Sequence, residues 1–132
     1  MIDCLIVGDS IAVGTHQFKP ECVVYAKGGI NSKQWVDKNI QNMPLQAKTV
    51  IISLGTNDHK YIKTEEELHN VRELTKADRV YWILPAIKPD IQEIVKKVAA
   101  EYGDTVLPIT KLQPDGVHPS WAGYKEIAKE AK

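Results

Sequence analysis

The sequence has no excess of either charge. Seventeen Lys and Arg residues balance seventeen Asp and Glu, so no global field draws the chain to nucleic acid or to an anionic membrane. Its longest apolar runs are strand-sized, far below the roughly 20 residues of a membrane-spanning helix. There are only two cysteines, a single pair rather than a disulfide framework. Cys4 sits inside an apolar run and Cys22 begins another, so buried thiols on neighbouring strands are expected, with a disulfide or redox role as the alternative. No basic segment precedes the first apolar run, MIDCLIVGDS, so no secretory signal is expected in this chain. The location is accordingly cytoplasmic or unassigned. Linkers, internal repeats and low-complexity stretches are also missing.

What remains is the make-up of an ordinary globular domain. Hydrophobic residues are 43% and charged residues 26% of the 132 positions, which excludes disorder as the main state. The length suits one domain over 1–132 and supports a core without staples.

Five apolar stretches alternate with helical patterns. The stretches 2–7, 22–26, 48–54, 78–84 and 104–109 are rich in β-branched residues and continuous rather than alternating. That pattern predicts parallel strands covered on both faces. Pro108 places the fifth at an edge. Val36, Ile40 and Met43 fall at helical spacing after Asn31, with Gln34 completing a capping box. Thr64 and Glu67 form a second such signal ahead of Leu68, Val71 and Leu74. Ile87, Ile91, Ile94, Val98 and Tyr102 mark the longest helix, stopped by Gly103. Trp121, Tyr124, Ile127, Ala128 and Ala131 mark the last, and a short helix follows Ser10. With right-handed crossovers, this order predicts an α/β three-layer sandwich on a doubly wound parallel five-stranded sheet, order 2-1-3-4-5.

Open sheets of this kind bind ligands at the carboxyl ends of their strands. There the sequence places Gly8, Asp9 and Ser10; then Gly28 and Gly29; then Gly55, Thr56, Asn57 and Asp58; and finally Asp115, Gly116, Val117, His118 and Pro119. Each group alone reads as a turn, a helix cap or a surface loop. Together they supply a nucleophile, a base, an orienting acid and oxyanion donors, the inventory of acyl transfer. A serine hydroxyl needs an adjacent base, and His118 is the histidine placed at that rim beside a carboxylate. Asp115 would hold its tautomer and stabilise the imidazolium. The amides of Ser10 and Gly29, with the Asn57 side chain, could bind the developing oxyanion.

The blocks GDS at 8–10, the glycine turn at 28–29, GTND at 55–58 and DGVHP at 115–119 resemble those of the SGNH hydrolases, the GDSL-type esterases and lipases. The resemblance spans nearly the whole chain and implies a flavodoxin-like fold. It implies Ser10 as nucleophile, His118 as base and Asp115 as its acidic partner. It also implies an oxyanion hole of Ser10, Gly29 and Asn57, with Gly28 the alternative to Gly29. No cofactor and no metal are implied. The expected activity is that of a serine esterase working through an acyl-enzyme on a small-molecule or glycan ester. The chain is short for that family, which predicts small loops and a shallow cleft. A small acyl group such as acetate, leaving a carbohydrate or other polar alcohol, fits such a cleft better than the acyl chain of a lysophospholipase or thioesterase.

Other chemistries lack their signals. Position 12 is Ala, so no G-x-S-x-G elbow is present. Neither a P-loop nor a dinucleotide glycine pattern occurs. His16, His59 and His69 lack metal-site spacing and read as surface or helix residues. Trp35, Tyr81 and Trp82 read as packing; Trp121 reads as core, or else as the wall of an acyl or sugar subsite. From other classes, the alternatives are a non-catalytic module of the same fold that binds glycan or protein, and a flavodoxin-like nucleotide binder.

Overall fold

Continuous runs of Val, Ile and Leu send alternate side chains to opposite faces of a strand, so each strand must be covered twice. The computed structural model describes residues 2–132. They run β1 (Ile2–Gly8), α1 (Ser10–Gln17), β2 (Val23–Ala26), α2 (Ser32–Asn39), β3 (Leu45–Ser53), α3 (Thr64–Glu73), β4 (Thr75–Lys76), β5 (Arg79–Ile83), α4 (Pro89–Tyr102), β6 (Thr105–Leu107) and α5 (Trp121–Glu130). Every strand pairing is parallel, and the main sheet has the order β2-β1-β3-β5-β6. This is the expected doubly wound sheet, with one refinement. The fourth strand is in two pieces: β4 pairs Thr75 with Leu45, and β5 pairs Arg79 with Thr49, at one unchanged offset from β3.

Leu5, Val7, Val50 and Ile52 pack on one face with Trp35, Leu68, Val71, Val95 and Val98 of α2, α3 and α4. Ile6 and Ile51 face the other way, against Ile11, Ala12 and Ile127 of α1 and α5. Each fully buried aliphatic contributes roughly 1.5–3 kcal/mol. Two buried tryptophans tie the layers with polar bonds as well. Trp35 Nε1 donates to the Tyr25 carbonyl at 2.9 Å, fixing α2 on the edge strand β2. Trp82 Nε1 donates to Asp104, which also receives the Arg72 guanidinium at 2.7 and 3.0 Å.

Two helix ends follow the sequence signals: the Asn31 and Gln34 capping box is formed, and α4 ends on Gly103 at φ 70°. Thr64 does not cap its helix. Lys63 occupies the N-cap without a side-chain bond, because the Thr64 hydroxyl is drawn instead to the buried Asp58 carboxylate at 2.7 Å. The cysteines also depart from expectation. Cys4 and Cys22 are joined in a disulfide, not held as thiols. The cause is lateral register: β1 and β2 pair Leu5 with Val23, so the preceding residues stand opposite each other, 4.8 Å apart at Cα.

The carboxyl ends of β1 and β3 meet very closely. Gly8 has φ 135°, and a Cβ on it would overlap the Ser53 carbonyl. Gly8→Ala is therefore expected to lower stability by at least about 3 kcal/mol through combined overlap and left-handed backbone strain. Urea unfolding checks this; a loss below about 1 kcal/mol would mean the two strand ends can separate freely.

Candidate active site

The sharp exit from β1 places the serine. Gly8 leads into Asp9, whose N–H donates to the Ser53 carbonyl at 3.0 Å. The Asp9 carboxylate caps α1 by accepting the Ile11 N–H at 3.0 Å, and it accepts the Ser53 hydroxyl at 2.9 Å. Ser10 is then the first residue of α1, where its own N–H has no partner inside the helix. Its Oγ lies 2.9 Å from Nε2 of His118, 108 residues away.

His118 is held by a folded-back loop between β6 and α5. The loop is pinned by Ser120 N–H to the Lys111 carbonyl (2.9 Å) and Gln113 N–H to the His118 carbonyl (2.8 Å). Asp115 Oδ1 accepts the N–H groups of Val117 and His118 at 2.9 and 3.0 Å. Its Oδ2 lies 2.6 Å from His118 Nδ1. Gly116 makes the required turn at φ 70°. Bonds from the Val117 N–H and then the His118 ring hold the Asp115 carboxyl down at about 2. It therefore stays an acceptor at any working pH and fixes the imidazole with Nε2 facing the serine. The three side chains form an unbroken relay from a half-exposed carboxylate to a half-buried hydroxyl.

Two more strand ends complete the rim. After β2, the Ile30 N–H closes a turn on the Lys27 carbonyl at 3.4 Å, with Gly29 at φ 78°, the third position of a type II turn. A Cβ on Gly28 would stand 3.9 Å from the Ser10 Cβ, whereas one on Gly29 would meet open space. Gly28 thus borders the serine, and Gly29 follows it in the same turn. After β3, Asp58 N–H closes a turn on the Gly55 carbonyl at 3.0 Å. Asn57 Nδ2 donates to the Ile30 carbonyl at 3.0 Å, which links the two turns and leaves its second amide hydrogen free.

Sequence reasoning missed what secures the Asn57 turn. Asp58 is 2% exposed and accepts the Ser32 N–H and hydroxyl (2.8 and 2.6 Å) besides Thr64. Lys88, a non-glycine residue at φ 64°, donates its ammonium to the carbonyls of Thr56 and Asp58 at 2.8 and 2.7 Å. The bonds of Lys88 therefore fall on both neighbours of Asn57. Backbone carbonyls leave no mark in a sequence, so only the Asp58 half of this lock had a signal, in GTND.

The remaining candidates lie apart from this relay. His16 Nε2 meets the Cys22 carbonyl, and His59 is exposed beside Tyr61. His69 lies with Glu65 and Glu101 in a group whose ligand atoms are within 4.8 Å of one another. Its spacing spans α3 and α4 and so escaped the sequence. Glu65 there is already paired with Lys97 at 2.9 Å. Trp35 and Trp82 are core, as expected, but Trp121 is not. It is 75% exposed and meets only the edge of Phe18 among aromatic rings, at 4.9 Å, because α5 begins at the rim before its apolar stripe reaches the sheet.

No protein-family model matches the chain, and no curated protein matches it in sequence. Solved structures do. A GDSL-like lipase from Bacteroides thetaiotaomicron superposes with a TM-score of 0.67 at 18% identity, over 98% of this chain and 89% of that one. The C-terminal catalytic domain of Streptococcus pneumoniae peptidoglycan O-acetyltransferase A gives 0.60 at 19%, over 99% and 96%. An acetyl xylan esterase from Butyrivibrio proteoclasticus gives 0.58 at 13%, over 98% of this chain and 61% of that one. The chain has the SGNH/GDSL-hydrolase fold.

Asp9 carries a pH signature of its own. Burial raises its carboxyl to about 6, against the Ser53 hydroxyl and the α1 amides that pull it down; Oδ2 has no partner. In an unfolded chain the value is about 3.9. The folded state therefore resists ionisation, and its advantage, full below about pH 4, is lost as pH rises through about 6. Asp9→Asn keeps an acceptor for Ile11 and Ser53 and cannot ionise. Its stability relative to the native chain should rise by about 2 kcal/mol between pH 4 and pH 7. Paired urea titrations at the two pH values check this; an unchanged difference would contradict it.

Proposed function

We propose that this protein is a serine hydrolase of carboxylic esters. The observation that carries the reading is the relay of Ser10 Oγ, 2.9 Å from His118 Nε2, and His118 Nδ1, 2.6 Å from Asp115 Oδ2. As Ser10 Oγ bonds to the ester carbonyl carbon, its proton passes to His118 Nε2. The carbonyl oxygen becomes an oxyanion facing the N–H of Ser10, the N–H of Gly29 or Gly28, and the Asn57 amide. One such donor is worth roughly 10²–10³ in rate. Collapse breaks the bond to the alcohol oxygen, which takes the proton from His118. Water then repeats the sequence on the acyl-enzyme, releasing the acid and restoring Ser10. The chain's own side chains suffice, and the reading takes no cofactor and no metal.

A small acyl group on a polar alcohol, such as acetate on a carbohydrate, is the substrate class we favour. The half-exposed His118 and Asp115 side chains support an open cleft rather than an acyl channel. The names of two fold relatives, an acetyl xylan esterase and a peptidoglycan O-acetyltransferase, fit that class. The Cys4–Cys22 bond favours an oxidising compartment over the cytoplasm.

The test is hydrolysis of 4-nitrophenyl esters from acetyl to octanoyl. Ser10→Ala and His118→Ala should each lose at least about a thousandfold in kcat with unchanged circular dichroism. Asp115→Asn should lose less, since water can reach and replace a half-exposed carboxylate. Across the series kcat/KM should stay flat or fall. Full activity in either Ala variant would refute the nucleophile and base. A steady climb with chain length, about 0.8 kcal/mol per buried CH2 at most, would make a lipase or thioesterase the better reading. A protein inert to every ester would be the binding module instead.

A further inference from the structure

The groove between edge strand β2 and helix α2 holds positive charge that the fold does not neutralise. Lys27, Gly28, Gly29, Ile30, Gln34 and Lys38 line a cleft of about 320 Å³. Lys27 and Lys38 also border the adjoining cleft that runs back over Tyr25, Trp35 and Asn39. Both side chains line these same clefts, and the like charge of Lys27 beside it pulls Lys38 below the ordinary lysine value. Among the described residues neither has an acidic partner within ion-pair distance. The nearest acid along α2, Asp37, is taken by Lys33 at 2.9 Å. The acceptor oxygen of Gln34 is spent on the Asn31 N–H. Lys38 has a plain role at the C-terminal turn of α2, where a cation complements the macrodipole. Lys27 has none, yet its backbone is fixed by N–H donation to the Gly8 carbonyl at 3.0 Å.

Location gives this charge a use. Lys27 directly precedes the glycine turn, and a Cβ on Gly28 would stand 3.9 Å from that of Ser10. Gly28 therefore lines the cleft and also adjoins the serine. Two adjacent ammonium groups repel each other until an anion lies between them, and a carboxylate or phosphate does so with charge-assisted hydrogen bonds. We propose that Lys27 and Lys38 form a subsite for a carboxylate or phosphate group carried by the ester substrate. The assignment to substrate rests on the esterase reading above; the anion site itself does not.

The experiment compares phenyl acetate with two anionic esters near neutral pH and low salt. One is 4-acetoxybenzoate, with its charge on the alcohol side; the other is monophenyl succinate, with its charge on the acyl side. Native protein should prefer one anionic ester over phenyl acetate by about three- to tenfold in kcat/KM, mainly through KM. The preferred ester says which side of the scissile bond lies over the lysines. The preference should vanish at high salt and in the Lys27→Gln/Lys38→Gln double variant, while phenyl acetate turnover stays unchanged. Turnover of phenyl acetate with no anionic preference, or a preference that survives in the double variant, overturns the subsite. If no ester is turned over, the esterase reading fails and the subsite is judged by inorganic phosphate alone. Phosphate should shift the Gly28 and Gly29 amide resonances in the native protein and not in the double variant; equal or absent shifts in both overturn it.

Discussion

The close meeting of the β1 and β3 carboxyl ends is the constraint on which the site depends. Gly8 lies so near the Ser53 carbonyl that no side chain fits between them, and this lets the Asp9 N–H and carboxylate both bond to Ser53. That double tie sets where α1 begins, and Ser10 is its first residue. A β1 that ended a few tenths of an ångström further out would carry the hydroxyl away from His118, since hydrogen-bond energy falls steeply beyond its normal range. Burial of the Asp9 carboxylate follows from the same contact.

The glycine turn and the Asn57 turn are tied to this point and to each other rather than built on flexible loops. The Gly8 carbonyl accepts the Lys27 N–H and so holds the glycine turn. Asn57 bonds back to Ile30, while Lys88 and Asp58 clamp the turn that carries it. The His118 loop stands apart and is braced internally by Asp115, which both caps the loop backbone and orients the ring. On the proposed reading, donors and relay are thus positioned before any substrate arrives, the condition under which such groups would stabilise a developing charge at least cost.

The strand order and the placement of Ser10, Asn57, Asp115 and His118 were legible because they depend on period and chain order. β-branched runs mark β1 and β3, and the motif residues fall just past strand ends. The partition of the fourth strand was not legible, since Ala77 and Asp78 interrupt it without changing its register. Nor was the disulfide, since strand register cannot be read from apolar runs alone. Thr64 illustrates a competition: its hydroxyl could serve its own helix or Asp58, and only tertiary placement decides. Helical spacing left Trp121 between core and the wall of a subsite, since spacing does not say where along its axis a helix leaves the sheet. Lys88 was invisible because its partners are peptide carbonyls.

The central claim is that Ser10 is a nucleophile activated by His118. Labelling with phenylmethylsulfonyl fluoride, read by intact mass and peptide mapping, tests it without any assumption about substrate. The account predicts a single sulfonyl adduct on Ser10 that forms far more slowly in His118→Ala. An adduct on another residue, no adduct, or equal rates in the two proteins would contradict it.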